Sequence, residues 1–210
     1  MKHPFRAPAP AGMRPFLLLW STQSLSALGS SMTSFALIVW SYQQQGSALT
    51  TSLLSVCSYA PYVAMSMFAG ALFDRIDKKR TMLVCDTLAA VTTLCVNGLL
   101  RAGRLAVWHL YLLSALNGLM NTVQQPASDV TVTLLAPRDK FQRVSGLQSF
   151  SNALVTVLTP AAASAVLAFG GLDVVILIDL ATFASAFFSL ALFIHVPSVP
   201  RGVPEEKGRM

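Results

Sequence analysis

From Pro15 to Phe73 the chain runs for 59 residues without an Asp, Glu, Lys or Arg. A bilayer core about 30 Å thick is crossed by about 20 apolar residues in a helix. This one stretch therefore predicts two membrane-spanning helices and the hairpin between them. Four more apolar runs follow. The predicted spans are Pro15–Trp40, Leu49–Phe73, Thr81–Leu100, Ala106–Leu135, Val144–Phe169 and Val174–Val196. The fourth is longer than a bilayer requires, and its turns beyond Asp129 are expected to project into water. The first is too long for a cleaved signal peptide and has no small-residue cleavage site before a soluble domain. The expected fold class is all-α, a polytopic membrane protein with six transmembrane helices at 15–196. A tail at 1–14 precedes them and a tail at 197–210 follows.

The spans are not uniformly apolar. The first carries Gln23, Ser26, Ser30 and Ser34, and the second Thr51, Ser55, Tyr59, Tyr62 and Ser66. The fourth carries Asn117, Asn121, Gln124 and Ser128, and the fifth Gln148, Asn152, Thr156 and Thr159. Steps of three and four place each set on one helix face. Polar faces in a bilayer must meet other helices or water. Two readings follow: hydrogen bonding between packed helices, or a polar cavity lined by Gln23, Ser30, Tyr62, Asn117, Asn121, Gln124, Gln148 and Asn152. The third and sixth spans have the more apolar surfaces expected of lipid-facing helices. Prolines interrupt the second span at Pro61, the fourth at Pro126 and the fifth at Pro160. Each removes a backbone hydrogen bond and bends its helix. Pro61 and Pro160 sit in the middle helix of each group of three, a pattern that points to two inverted three-helix repeats.

Composition and charge sharpen this picture. Charged residues make up 11% of the chain, against roughly 25% in soluble domains. Of the fifteen basic residues, thirteen fall in alternate segments: the N-terminal tail, residues 74–80, residues 137–143 and the C-terminal tail. The other basic residues are Arg101 and Arg104. Basic residues remain cytoplasmic, so both termini are expected in the cytoplasm of a multi-pass protein of the cell membrane. The rule accounts for the net charge of +6, and no nucleic-acid partner is expected. Cys57, Cys85 and Cys95 lie in apolar runs and read as packing residues rather than a disulfide framework.

Acidic residues inside the spans are Asp86, Asp129 and Asp179. A carboxyl group at membrane depth is costly and marks function by default. Asp86 and Asp129 lie about one turn from the cytoplasmic edge and read as gate partners or as solvated helix ends. Asp179 is the deepest, about 9 Å inside its helix at 1.5 Å per residue. It reads as a proton carrier or as a hydrogen-bonded structural residue. His3, His109 and His195 lie near span ends or in a tail, and Glu205 and Glu206 in the other tail, so no catalytic set assembles at depth. No Gly-rich phosphate loop is present. An enzyme is not expected, nor is a cofactor or a metal site.

The loop after the second span reads Gly70-Ala-Leu72-Phe-Asp74-Arg75-Ile-Asp77-Lys78-Lys79-Arg80. It resembles the signature Gly-x-Leu-x-Asp-Arg-x-Gly-Arg/Lys-Arg/Lys of the major facilitator superfamily, with Asp77 in place of the second Gly. Together with Gln125-Pro126-Ala127, Ala136-Pro137, Ser145-Gly146-Leu147-Gln148 and Ile178-Asp179-Leu180-Ala181-Thr182-Phe183, it is similar to the drug-export branch that includes macrolide-efflux and enterobactin-export proteins. The resemblance covers residues 15–196. It implies that Gly70, Asp74, Arg75, Lys78, Lys79 and Arg80 form a gating loop. The alternative for the three basic residues that end the loop is a plain positive-inside anchor. There are departures. Thr159-Pro160-Ala161-Ala162-Ala163-Ser164 keeps the Pro of the antiporter motif but replaces each Gly, and Ser114–Gly118 lacks the Arg of many drug antiporters.

The family fold has twelve helices in two halves, so the resemblance implies an N-terminal six-helix half. A second half, on another chain or in a homodimer, is then an implied partner, beside the lipid bilayer. The chain is a fragment, a truncated product or a half that pairs. The implied function is proton-coupled efflux of a lipophilic drug-like or siderophore-like small molecule by alternating access. The alternative is a non-transporting membrane scaffold or sensor.

Overall fold

The computed structural model describes residues 13–73, 77–135 and 140–193, without the side chains of 66–73, 134 and 193. Asp74, Arg75, Arg138, residues 1–12 of the expected tail at 1–14, residues 194–196 and the expected tail at 197–210 lie outside the described residues. The elements are α1 (Met13–Gln45), α2 (Ala48–Phe73), α3 (Lys78–Arg101), α4 (Val107–Leu135) and α5 (Phe141–Phe188). A π-helical segment, Ser189–Phe193, continues α5.

The helix ends have local causes. The apolar pattern predicted that the first helix stops at Trp40, yet α1 continues through Gln43-Gln44-Gln45, because Gln is a good helix former. It stops where Gly46 takes φ +62° and donates its N–H to the Tyr42 carbonyl at 2.7 Å, a left-handed glycine cap. Asp77 caps α3, its carboxylate accepting from the Arg80 N–H at 3.2 Å. His109 Nδ1 accepts from the Ala106 N–H at 3.1 Å at the start of α4.

As one straight rod, the 48 residues of α5 would extend about 72 Å, more than twice a bilayer core. The chain instead breaks at Gly171, which has φ 70° and ψ −177°. The first arm (141–170) runs beside α1 in the same direction: Trp20 Nε1 donates to the Leu147 carbonyl at 3.1 Å and Ser151 Oγ to Ser24 Oγ at 2.5 Å. The second arm (172–188) returns. Asp179 meets Ser30, and Leu190 joins Phe16 and Leu19. The loop expected at Gly170–Asp173 is thus compressed to a break at one glycine.

α1 packs along α5, α2 along α4, and α3 against α4 and α5. Two apolar layers fill the interior. One joins Phe16, Leu19, Met82, Ala127, Val132, Leu135, Val144 and Leu190. The other joins Met32, Ala36, Leu54, Val96, Leu110, Ala163, Val175 and Ile176. The turns of α4 after Asp129 do not project outward as expected. Thr131, Val132 and Leu135 are buried, because these apolar side chains close the first layer against Phe16 and Met82.

Two glycines let helices touch. A β-carbon at Gly29 would strike Thr182 Oγ1 and the Asp179 backbone and carboxylate. At Gly118 it would strike the Ser58 carbonyl on α2. Small residues at such crossings let backbones approach within lipid.

Among the described residues, four helices are long and apolar enough to cross a membrane by length and composition: α1, α2 (over Ala48–Met65), α3 and α5. α4, predicted as a span, is not among them; Asn117, Asn121, Gln124, Gln125 and Asp129 dilute its apolar character. Large apolar side chains cover the outside, including Leu49, Val56, Val63, Leu94, Leu112, Phe150, Val157, Leu177 and Leu192. A soluble monomer rarely exposes so much apolar surface, whereas lipid tails cover it at no cost.

Candidate functional site

Among the described residues, two carboxyl groups are buried in the interior: Asp86 on α3 and Asp179 on the second arm of α5, 6% and 4% exposed. Asp129, the third acidic residue predicted within the spans, is exposed on α4. The outer surfaces of α3 and the second arm are apolar, and their carboxylates turn inward.

Asp179 is well furnished with donors. Ser30 Oγ on α1 donates to Oδ1 at 2.9 Å, and Thr93 Oγ1 on α3 donates to Oδ2 at 3.4 Å. The buried Thr33 hydroxyl faces the same carboxylate, and Thr182 Oγ1 bonds the Asp179 backbone carbonyl at 2.9 Å. Three helical segments are thereby tied at one point.

Asp86 is furnished differently. Gln124 Nε2 on α4 donates to Oδ1. Gln23 on α1 also faces the carboxylate, yet Asp86 Oδ2 and Gln23 Nε2 are both buried without a hydrogen-bond partner. About two turns along, Thr92 Oγ1 donates to Asn117 Oδ1 at 3.2 Å. Gln23 and Ser30 are seven apart on α1, as are Asp86 and Thr93 on α3. Seven residues are about two turns, so both carboxylates belong to one polar seam between these helices. Neither has a Lys or Arg partner among the described residues. The ion pair there is Arg101–Asp173, at 3.4 Å on the surface.

The other predicted cavity residues divide. Ser30, Tyr62, Asn121 and Asn152 are exposed, while Gln23, Asn117, Gln124 and Gln148 are half-buried. Gln148 and Asn152 lie on the first arm of α5, apart from the Asp86 cluster in the hydrogen-bond pattern. Of the predicted gating loop, Gly70 lies on the α2 backbone and Asp74 and Arg75 are outside the described residues. Lys78, Lys79 and Arg80 open α3, and Lys79 Nζ donates to the Ala191 carbonyl at 3.2 Å. This joins the loop to the π-helical end of α5.

Sequence reasoning missed Thr33 and Thr93, whose hydroxyls are common in apolar helices and carry no signal alone. It also missed Asp77 as a cap. The signal was available there, since Asp before a helical run is a standard N-cap.

A protein-family model described as Major Facilitator Superfamily matches residues 19–209. The chain belongs to the major facilitator superfamily. Macrolide efflux protein A of Streptococcus pyogenes is 23% identical over 184 residues, covering 88% of this chain and 45% of that protein. Macrolide efflux protein A of Enterococcus faecalis is 23% identical over 154 residues, 73% of this chain and 47% of its own length. The uncharacterized MFS-type transporter YfiS of Bacillus subtilis is 25% identical over 180 residues, 85% and 41%. The chain thus spans less than half the length of these curated relatives. No solved structure matches it significantly. Membership in this superfamily and the apolar exterior together make this major facilitator chain a multi-pass membrane protein.

Proposed function

We propose that this chain is the N-terminal six-helix half of a secondary transporter, exporting a lipophilic drug-like or siderophore-like molecule by alternating access. The family match carries this reading, and the relatives named for macrolide efflux support the direction and the class of cargo. The two arms of α5 count as the fifth and sixth passes, because the chain doubles back at Gly171. Exchange of the first helix with the fourth and the second with the fifth preserves the packing, since α1 lies on the first arm as α4 lies on α2. That supports two three-helix repeats.

Arg14, Lys78, Lys79, Arg80, Lys140 and Arg143 all belong to the helix ends beside the layer of Phe16, Met82 and Val144. By the distribution of basic residues that end is cytoplasmic, in the cell membrane. Exposed Ser30, Tyr62, Asn121 and Asn152 are costly against lipid. They would face a water-filled cavity shared with a second six-helix half. The half would rock against that partner, with Asp74 and the basic loop gating the cytoplasmic side. Without a nucleotide loop, the proton gradient drives the cycle.

The test is accumulation of a lipophilic fluorescent drug in an efflux-deficient bacterium, with and without a protonophore. The chain is expressed alone and together with a matching C-terminal half. Lower accumulation that the protonophore abolishes supports the proposal. Unchanged accumulation in both cases, with protein present in the membrane, favours a scaffold or sensor.

A further inference from the structure

We infer that Asp86, rather than Asp179, is the carboxyl group of this half that takes up and releases the transported proton. This rests on the proton-driven reading above but is tested apart from it. The two buried carboxylates differ in how they are solvated. Each oxygen of Asp179 has a hydroxyl donor, from Ser30 and from Thr93. A charge held that way is stabilised where it stands, and the same bonds tie α1, α3 and the second arm together. Asp179 is a structural node.

At Asp86 only Oδ1 is served, by Gln124. Oδ2 is buried without a donor, and the facing Gln23 amide is buried without an acceptor. An unserved carboxylate oxygen in an apolar interior carries a large penalty, relieved by neutralisation. A proton on Oδ2 converts the unserved acceptor into a donor. The Gln23 amide, turned over, presents its oxygen to that donor, since an amide carries both functions at nearly the same shape. Oδ1 continues to accept from Gln124. Protonation therefore completes the hydrogen bonding of the cluster, whereas at Asp179 it would displace an existing donor.

Among the described residues, the side chains that face Asp86 from other helices carry no charge. Gln23 faces Asp86 from α1 and Gln124 from α4, both neutral. Cys85, its neighbour on α3, is the titratable side chain among the described residues that feels the Asp86 charge. An access route exists as well. Gln124 is half-buried and lies one turn from exposed Asn121, so the carboxyl group is one side chain removed from the polar face. The proton arrives from water as hydronium, leaving water behind. It adds to Oδ2, and it departs to water when the site faces the other side. Gln23 and Gln124 are positioning residues.

The experiment is infrared spectroscopy of the full chain reconstituted in lipid, titrated with pH. It reads the carbonyl stretch of a protonated carboxyl group and needs no transport. The titrating band of a buried carboxyl group, at higher frequency than those of the solvent-exposed carboxyls, is expected in the parent protein and in Asp179→Asn, and lost in Asp86→Asn. Its persistence in Asp86→Asn, or its loss in Asp179→Asn, overturns the assignment. Should Asp86→Asn fail to fold, Gln124→Leu serves: removing the donor to Oδ1 must shift the band's frequency and its titration. A band unmoved by Gln124→Leu also overturns it. Drug export that fails while the band still titrates at Asp86 would sink the transport reading and leave this assignment standing.

Discussion

Gly118 on α4 offers the sharpest test of the packing. A β-carbon there would meet the Ser58 carbonyl oxygen, with the carbonyl carbon at 2.9 Å and the Cα at 3.3 Å. These are backbone atoms of α2 and cannot rotate away. Gly118→Ala must therefore push α2 and α4 apart along their shared contact. Overpacking of this kind costs about 1–3 kcal/mol, while Gly→Ala in a helix returns about 1 kcal/mol of propensity. A matched control removes the second effect. Gly98 on α3 has nothing within 4 Å of its would-be β-carbon, so Gly98→Ala gains the propensity alone. The difference between the two variants is then the overpacking cost. At roughly 2–4 °C per kcal/mol for a chain of this size, the Tm values should differ by about 2–12 °C. The assay is thermal unfolding of the purified chain in detergent, with Gly118→Ala the less stable. Equal Tm values for the two variants would refute the close approach of α2 and α4.

Three further outcomes are expected. Gly171→Ala forces a side chain into φ 70°, ψ −177°, a region open essentially to glycine alone, and should lower stability by about 1–3 kcal/mol; an unchanged melting curve would contradict the reversal at that residue. Asp77→Ala removes the cap on the Arg80 N–H and should cost about 0.5–2 kcal/mol, while Asp77→Asn should retain most of it in the same assay. Arg101→Ala breaks the ion pair with Asp173, but both side chains are largely exposed, so chemical denaturation should register less than about 0.5 kcal/mol.

Much of the architecture was legible before any coordinates. The charge-free stretch at 15–73 announced two helices, and α1 and α2 occupy it. Helix ends were less legible, because apolar patterning reports lipid contact and not backbone state. The polar Gln43-Gln44-Gln45 is helical all the same, and only the positive φ of Gly46 ends the run. The turns of α4 beyond Asp129 read as superfluous by length. Their burial follows from a cluster drawn from α1, α3 and α5, which no local pattern contains.

The acidic residues divide along the same line. Their presence at membrane depth was plain in the sequence, and so was the expectation that they matter. Depth in the span is all that tells Asp86 from Asp179 there, each an Asp in an apolar run. What separates them is the partner set: two hydroxyl donors converge on Asp179, while one amide serves Asp86 and another faces it unpaired. Those partners lie 38 to 149 positions away along the chain, on other helices. Composition within a short window is enough to read the membrane as solvent, the number of apolar runs and the segments in which basic residues gather. Which polar groups meet is settled by the packing of the helices, because a hydrogen bond between helices depends on their register and separation, and these are set by distant contacts such as Gly29 on Asp179 and Gly118 on Ser58.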